Sequence, residues 1–372
     1  MTAWRYIADD NASASFGLAA DEWLMTAYHG PHPPPPTLRL YTYNPVCVLV
    51  GRFQNVGAEV REEECQRRGI AINRRPTGGG TIIMGPGQLG VAIITSLDSP
   101  GGPAGPREVI QTYAQGILTG LEGLGIPASF RGKNDLEVAG RKLAGLGVYV
   151  DEGRAALFPC SLLADMDLSL MLHLLNIPLE KLSDKAIATF EARLTTVSRE
   201  MGRPVTTGWL REQISGGFQR AFGISLEPRG LGATEVADIA RLEREKYLTR
   251  ECVYQRQPPQ DTAGSARRKT GAGLLSVDLA LAGEVIKALV ISGDFFSSSA
   301  AIHRLEARLR WSAADRETVA AAVGEELRDG EGILGLGAEE LTGLILEAAA
   351  NARAQGACFL RPRPAESPPA SP

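Results

Sequence analysis

Apolar positions recur at helical spacing from residue 10 to 29, and Leu18, Trp23, Leu24 and Tyr28 fall on the inward side of the helix they predict. The run "GPHPPPP" (30–36) cannot continue a helix, because proline lacks the donor and clashes with the preceding turn, so it predicts an extended surface loop. "TLRLYTYNPVCVLVGRFQN" then predicts two strands broken at Asn44–Pro45. A charged helical stretch over 57–69 closes on Gly69. "IAINRRPTGGGTIIM" and "GQLGVAIITSL" predict two strands joined by a turn at Gly85–Pro86–Gly87, and a helix follows over about 107–124. "KNDLEVAGRKLAGLGVYV" alternates as a hairpin around a two-residue Ala139–Gly140 turn. Residues 169–224 are mostly helical in pattern, and 234–248 predicts a further charged helix.

The pattern changes near 255. Residues 255–273 are polar, with Gly and Pro but almost no large apolar side chain, which predicts a linker or mobile loop. Beyond it come two strands around Gly283, helices over 299–310 and 314–327, and a last helix over 338–354. The expected division is a mixed-sheet α/β catalytic domain over 1–254, the linker, a small α+β accessory domain over 274–357, and a disordered Pro/Ser-rich tail over 358–372.

Against this background "RRPTGGG" (74–80) is out of place, because it sets three glycines between two strand-like runs. Glycines there allow positive φ and let another group approach the main chain closely. Arg74 and Arg75 precede them with guanidinium forks suited to phosphate or carboxylate. The alternative is a glycine bulge flanked by two surface arginines. No G-K-[ST] follows, so this is not a Walker A loop, and it is not a Rossmann G-x-G-x-x-G. The hairpin brings Lys133, Asn134, Asp135, Arg141 and Lys142 together. Lys142, on a strand flanked by Gly140 and Gly145, is either an edge-strand gatekeeper or a cation aimed into a site.

Composition narrows the classes. A net charge of -4 over 372 residues gives no drive toward nucleic acid or an anionic membrane, and no apolar run is long enough to span a bilayer. The start shows no signal-peptide pattern. The five scattered cysteines point to a reducing, cytoplasmic setting rather than a disulfide frame, and the four histidines lack metal-ligand spacing.

Four motifs now stand in order: "GRFQN" (51–55), "RRPTGGG" (74–80), "NDL" (134–136) and "GRKLAG" (140–145). Together they resemble the lipoate-protein ligase family of the biotin/lipoate ligase superfamily, over about residues 5–350. The resemblance implies a biotin/lipoate-ligase-like catalytic domain with a C-terminal accessory domain. It implies that ATP and Mg²⁺ activate lipoate to lipoyl-AMP, and that the lipoyl group then passes to a lysine of a lipoyl-carrier protein. That carrier is a 2-oxoacid dehydrogenase subunit, a glycine-cleavage H protein or a specialised lipoyl protein. By motif position, Arg75, Thr77, Gly78, Gly79, Gly80, Thr81 and Gly145 match the loop around the acyl-adenylate. Lys142 matches the lysine that stabilises charge in both steps, and Asn134 and Asp135 match residues near the phosphates and Mg²⁺, with Asp135 as the metal ligand. The segment Leu194–Val197 matches one that closes over adenine. Strand phase puts Val50, Ile82, Leu89 and Val148 in the acyl pocket.

The chain also departs from the ligase pattern. "IIMGPGQLG" stands where ligases carry a His-Asp pair, and "AGLGVYV" after Lys142 is closer to octanoyltransferases. An octanoyl- or lipoyl-transferase that needs no ATP is the first alternative, with Cys160 as nucleophile beside Lys142. Against it, Cys160 fits equally a small buried apolar residue. A non-catalytic lipoate-binding regulator is the second alternative.

Overall fold

A computed structural model describes residues 2–99, 102–132, 134–167, 169–176, 192–259, 261–327 and 332–359. Lys133, residues 177–191 of the helical stretch, and the tail from residue 360 lie outside the described residues. The chain divides into two compact units, Met1–Gln255 and Arg256–Pro372.

The first unit is built on a nine-stranded mixed sheet with β12 at one edge and β7 at the other. Its strands are β1 (Ala3–Ala12), β2 (Thr37–Tyr43), β6 (Gln88–Ser96), β7 (Ser129–Arg131), β8 (Asp135–Val138), β9 (Arg141–Leu146), β10 (Tyr149–Val150), β11 (Ala155–Leu163) and β12 (Ser225–Pro228). β12, β1 and β2 run parallel, and every other pair is antiparallel. β2 and β6 are buried at every position, as expected of central strands covered on both faces.

One face carries helices Pro106–Glu122 and Thr207–Phe222. They approach closely because glycines meet at the crossing, where a Cβ on Gly217 would come within 2.4 Å of Gly116 O. The other face carries helix Ala14–Met25, capped by the Ser13 side chain on Phe16 N–H. A small sheet lies on this side too, ordered β4–β3–β5 (Ala71–Arg74, Cys47–Val50, Ile82–Met84). Tyr41, Leu49, Met84, Ile94 and Leu157 share one core cluster with that helix, so the two sheets close over a common interior. The β8–β9 turn is Ala139–Gly140 as expected, with φ of 48° and 78°.

The second unit is an antiparallel sheet β13–β14–β15 (Gly264–Thr270, Gly273–Ala282, Val285–Gly293) with helices Ser299–Leu309, Arg316–Glu326 and Ala338–Phe359. The expected linker 255–273 therefore contains a strand. The polar residues that suggested a linker, Arg267, Arg268 and Lys269, are its exposed positions, while Gly264 and Ala266 are buried. Gly264 is required there, because a Cβ would meet Ala348 O at 2.1 Å. Residues 358 and 359, assigned to the tail, close the last helix.

Candidate active site

Between the two sheets of the first unit lies a cavity of about 300 Å³. Its apolar walls include Leu18, Leu49, Ile82, Met84, Leu157 and Met171. Of the four positions expected from strand phase, only Ile82 lines it. Leu49 and Gln88 stand where Val50 and Leu89 were expected, a slip of one residue that inverts the face. Leu146 and Gly147 line it in place of Val148.

The glycine loop forms one wall, and its shape follows from the two arginines before it. Arg75 donates through Nε to Thr77 Oγ1 (3.0 Å), through Nη1 to Leu49 O (2.9 Å), and through Nη2 to Gly78 O (3.2 Å) and Gly80 O. Burial pushes its pKa down to about 10, which still leaves it charged at neutral pH. Arg74 turns away from the cavity. It donates to Gly51 O (2.6 Å), Gln54 O (2.8 Å) and Val253 O (2.6 Å), so it staples backbone segments instead of facing a ligand. The "GRFQN" motif interlocks with the loop. Gln54 Oε1 accepts from Gly51 N–H (2.9 Å) and Thr81 Oγ1 (2.8 Å), and a Cβ on Gly51 would meet Gly79 O at 1.9 Å. Gly78, Gly80, Thr77 and Thr81 line the cavity; Gly79, with φ of 90°, packs on Gly51 instead.

Lys142 stands on the opposite wall. Its Nζ lies over Gly145, where a Cβ would be 3.3 Å away, and pairs with Asp135 Oδ1 at 2.6 Å. The strand is pinned from the far side. Lys142 N–H donates to Arg193 O (2.8 Å), Lys142 O accepts from Thr195 N–H (2.9 Å), and Leu194 joins the lining. Asn134 lines the cavity but spends its amide on Leu146 O (3.2 Å). Asp135, expected as a Mg²⁺ ligand, stands beside the ammonium of Lys142. Among the described residues no three His, Cys, Asp or Glu side chains gather as a metal site.

Cys160 borders the cavity between Pro159 and Ser161. Strand alternation places Leu157, Pro159, Ser161 and Leu163 toward the cavity. Phe158, Cys160 and Leu162 take the other face, where Phe158 meets Tyr113 of helix Pro106–Glu122 at 6.0 Å between ring centroids. Burial pushes the Cys160 thiol well above its ordinary pKa, and the charge of Lys142 offsets only part of that rise.

Residues that sequence reading missed include Tyr41 and Ser161. Both reach the cavity through register across strands, which local pattern does not encode.

The profile of the lipoyl protein ligase A/B catalytic domain matches residues 13–219. The chain is 30% identical over 279 residues to octanoyltransferase LipM of Brevibacillus brevis, covering 69% of this chain and 100% of that protein. It is 31% identical over 284 residues to octanoyltransferase LipM of Kyrpidia tusciae, with the same coverage. Among solved structures, it resembles LipL1 of P. falciparum in complex with lipoate (TM-score 0.70, 14% identity, 92% of this chain and 99% of that one). It also resembles a bi-partite lipoate protein ligase from Thermoplasma acidophilum (TM-score 0.62, 23% identity, 70% and 99%). At these identities the structures speak for the fold alone. The relatives overturn the expectation of an ATP-dependent ligase that makes lipoyl-AMP: the curated proteins matched at about 30% identity are octanoyltransferases. The ATP and Mg²⁺ roles implied for Asn134, Asp135 and the Leu194–Val197 segment fall with it.

Proposed function

We propose, because the chain belongs to the lipoyl protein ligase A/B catalytic-domain family, that it moves a medium-length acyl group, octanoyl in the first instance, from a thioester donor to a lysine of a lipoyl-carrier domain. The observation that carries this reading is Lys142, whose ammonium is set on the wall of an otherwise largely apolar cavity. The relatives' activity supports octanoyl as the group, and the family supports a lipoyl carrier as acceptor.

The chemistry is a displacement at a carbonyl carbon. The acceptor amine attacks, the C–S bond breaks, and the thiolate leaves with the proton released by the amine. In between, negative charge collects on the carbonyl oxygen. Lys142 meets that charge by moving from Asp135 to the oxyanion, and Asp135 holds it ready until then. One such donor contributes on the order of 10²–10³-fold in rate. The apolar walls hold the acyl chain, and the Arg75-ordered glycine loop lets backbone close on it.

A covalent relay through Cys160 is a second reading, favoured by the field of Lys142 on the thiol. Burial and strand phase oppose it. Intact-mass analysis of enzyme given octanoyl thioester alone separates the two. Direct attack predicts no octanoyl adduct on Cys160 and retained transfer by Cys160→Ala. A stoichiometric adduct on Cys160 and an inactive Cys160→Ala protein would establish the relay. Transfer that survives Lys142→Ala undiminished would remove the basis of both.

A further inference from the structure

Register lines up five residues in one row across the large sheet: Tyr41 on β2, Gly90 on β6, Ser161 on β11, Gly145 on β9 and Asp135 on β8. Directly paired residues share a face, and of this row Tyr41, Ser161 and Gly145 line the cavity. The two glycines leave a trough in the row, and a side chain folds into the trough from each end. Over Gly145 lies the ammonium of Lys142. Over Gly90 lies the ring of Tyr41, where a Cβ on Gly90 would meet Tyr41 Cε2 and Cζ at 2.4 Å and Met84 Cε at 2.7 Å. Both Tyr41 and Met84 line the cavity.

The Tyr41 ring is braced from behind. The Arg39 guanidinium sits 4.2 Å from its centroid, and Arg39 is fully buried. It is held by Asp21 Oδ1 (2.8 Å), by Gly17 O (3.1 Å) and by Asp9. Tyr43 packs against the ring with centroids 4.9 Å apart. These contacts hold the ring over Gly90 from behind.

Gly90 and Gly145 are two strand steps apart, a span of about 10 Å at the usual strand spacing. An acyl chain with its carbonyl at Lys142 that follows the row runs up against the ring. We infer that Tyr41, seated on Gly90 and joined by Met84, is the end stop that sets the length of the acyl chain. This rests on the acyl-transfer reading of the cavity.

The test compares hexanoyl, octanoyl, decanoyl and dodecanoyl thioesters as donors to a lipoyl domain, together with calorimetric binding of the free fatty acids. Tyr41→Ala opens the end, so the decanoyl-to-octanoyl ratio of kcat/KM rises about tenfold or more, the discrimination that one or two methylenes supply. The change falls in KM, because the reacting end is untouched. Gly90→Ala pushes the ring and Met84 inward, so hexanoyl is favoured over octanoyl by a similar factor. Tyr41→Leu, which keeps more of the buried volume, shows a smaller shift in the direction of Tyr41→Ala and serves if that variant does not fold. Unchanged chain-length ratios in folded variants would overturn the end stop while leaving acyl transfer standing. If the wild type transfers no acyl group, acyl transfer fails, and the fatty-acid affinities still decide: the same shift in preferred length upholds the stop. Absence of a shift, or of any fatty-acid binding, overturns it.

Discussion

At the scale of single residues, the site depends on where two charges are held. Lys142→Ala removes the ammonium over the trough and is expected to lower kcat/KM by about 10²–10³-fold with an unchanged unfolding midpoint, read by steady-state kinetics beside urea denaturation. Arg75 acts through the loop it orders. Arg75→Ala strands the carbonyls of Leu49, Gly78 and Gly80 and is expected to cost about 2–4 kcal/mol of stability. Arg75→Lys does not restore it, since one ammonium cannot span a fork of acceptors. The motifs around both residues were legible as sequence because glycine and arginine have few other reasons to cluster. Arg74 was misread for a physical reason. Neighbouring residues on a strand point to opposite faces, and composition alone does not say which of two arginines faces in.

Thiol chemistry gives a further test at this scale. Burial pushes Cys47 up to about 12 and Cys65 up to about 11. A raised thiol pKa means that thiolate is scarce until the pH approaches that value. At about pH 8, where an ordinary thiol near 8.5 labels readily, both should resist iodoacetamide in the native protein and label after unfolding. Rapid native labelling of either, followed by peptide mass spectrometry, would contradict their burial.

At the scale of elements, the fold works by interlocking motifs distant in sequence. Gly51 closes β3 against Gly79 of the loop, so Gly51→Ala drives a methyl into a backbone carbonyl. A loss of more than about 2 kcal/mol in urea denaturation is expected, with activity falling alongside. A variant as stable as wild type would show that the loop can yield there. Strand and helix boundaries were largely legible, as the Ala139–Gly140 hairpin and helix Pro106–Glu122 show. Strand phase was less so: Val50 in place of Leu49 is a one-residue slip in a four-residue strand buried on both faces, where alternation of polarity gives no guide. β13 was hidden because its exposed positions are basic and its buried ones are small. The row from Tyr41 to Asp135 was not legible at all, since it exists only once five strands have paired.

At the scale of the whole molecule, every residue lining the cavity lies within Met1–Gln255. A chain ending at Gln255 is therefore expected to transfer octanoyl within about tenfold of the full chain, a loss of no more than about 1.4 kcal/mol in transition-state binding. A far larger loss from a folded fragment would assign the second unit a part in the reaction. The most direct measurement mixes the purified protein with octanoyl thioester and a lipoyl domain, without ATP, and reads the intact mass of the domain. The account predicts the gain of one octanoyl group on a lysine, slowed about 10²–10³-fold by Lys142→Ala. A domain left unmodified under those conditions, but modified when free fatty acid and ATP replace the thioester, would contradict it.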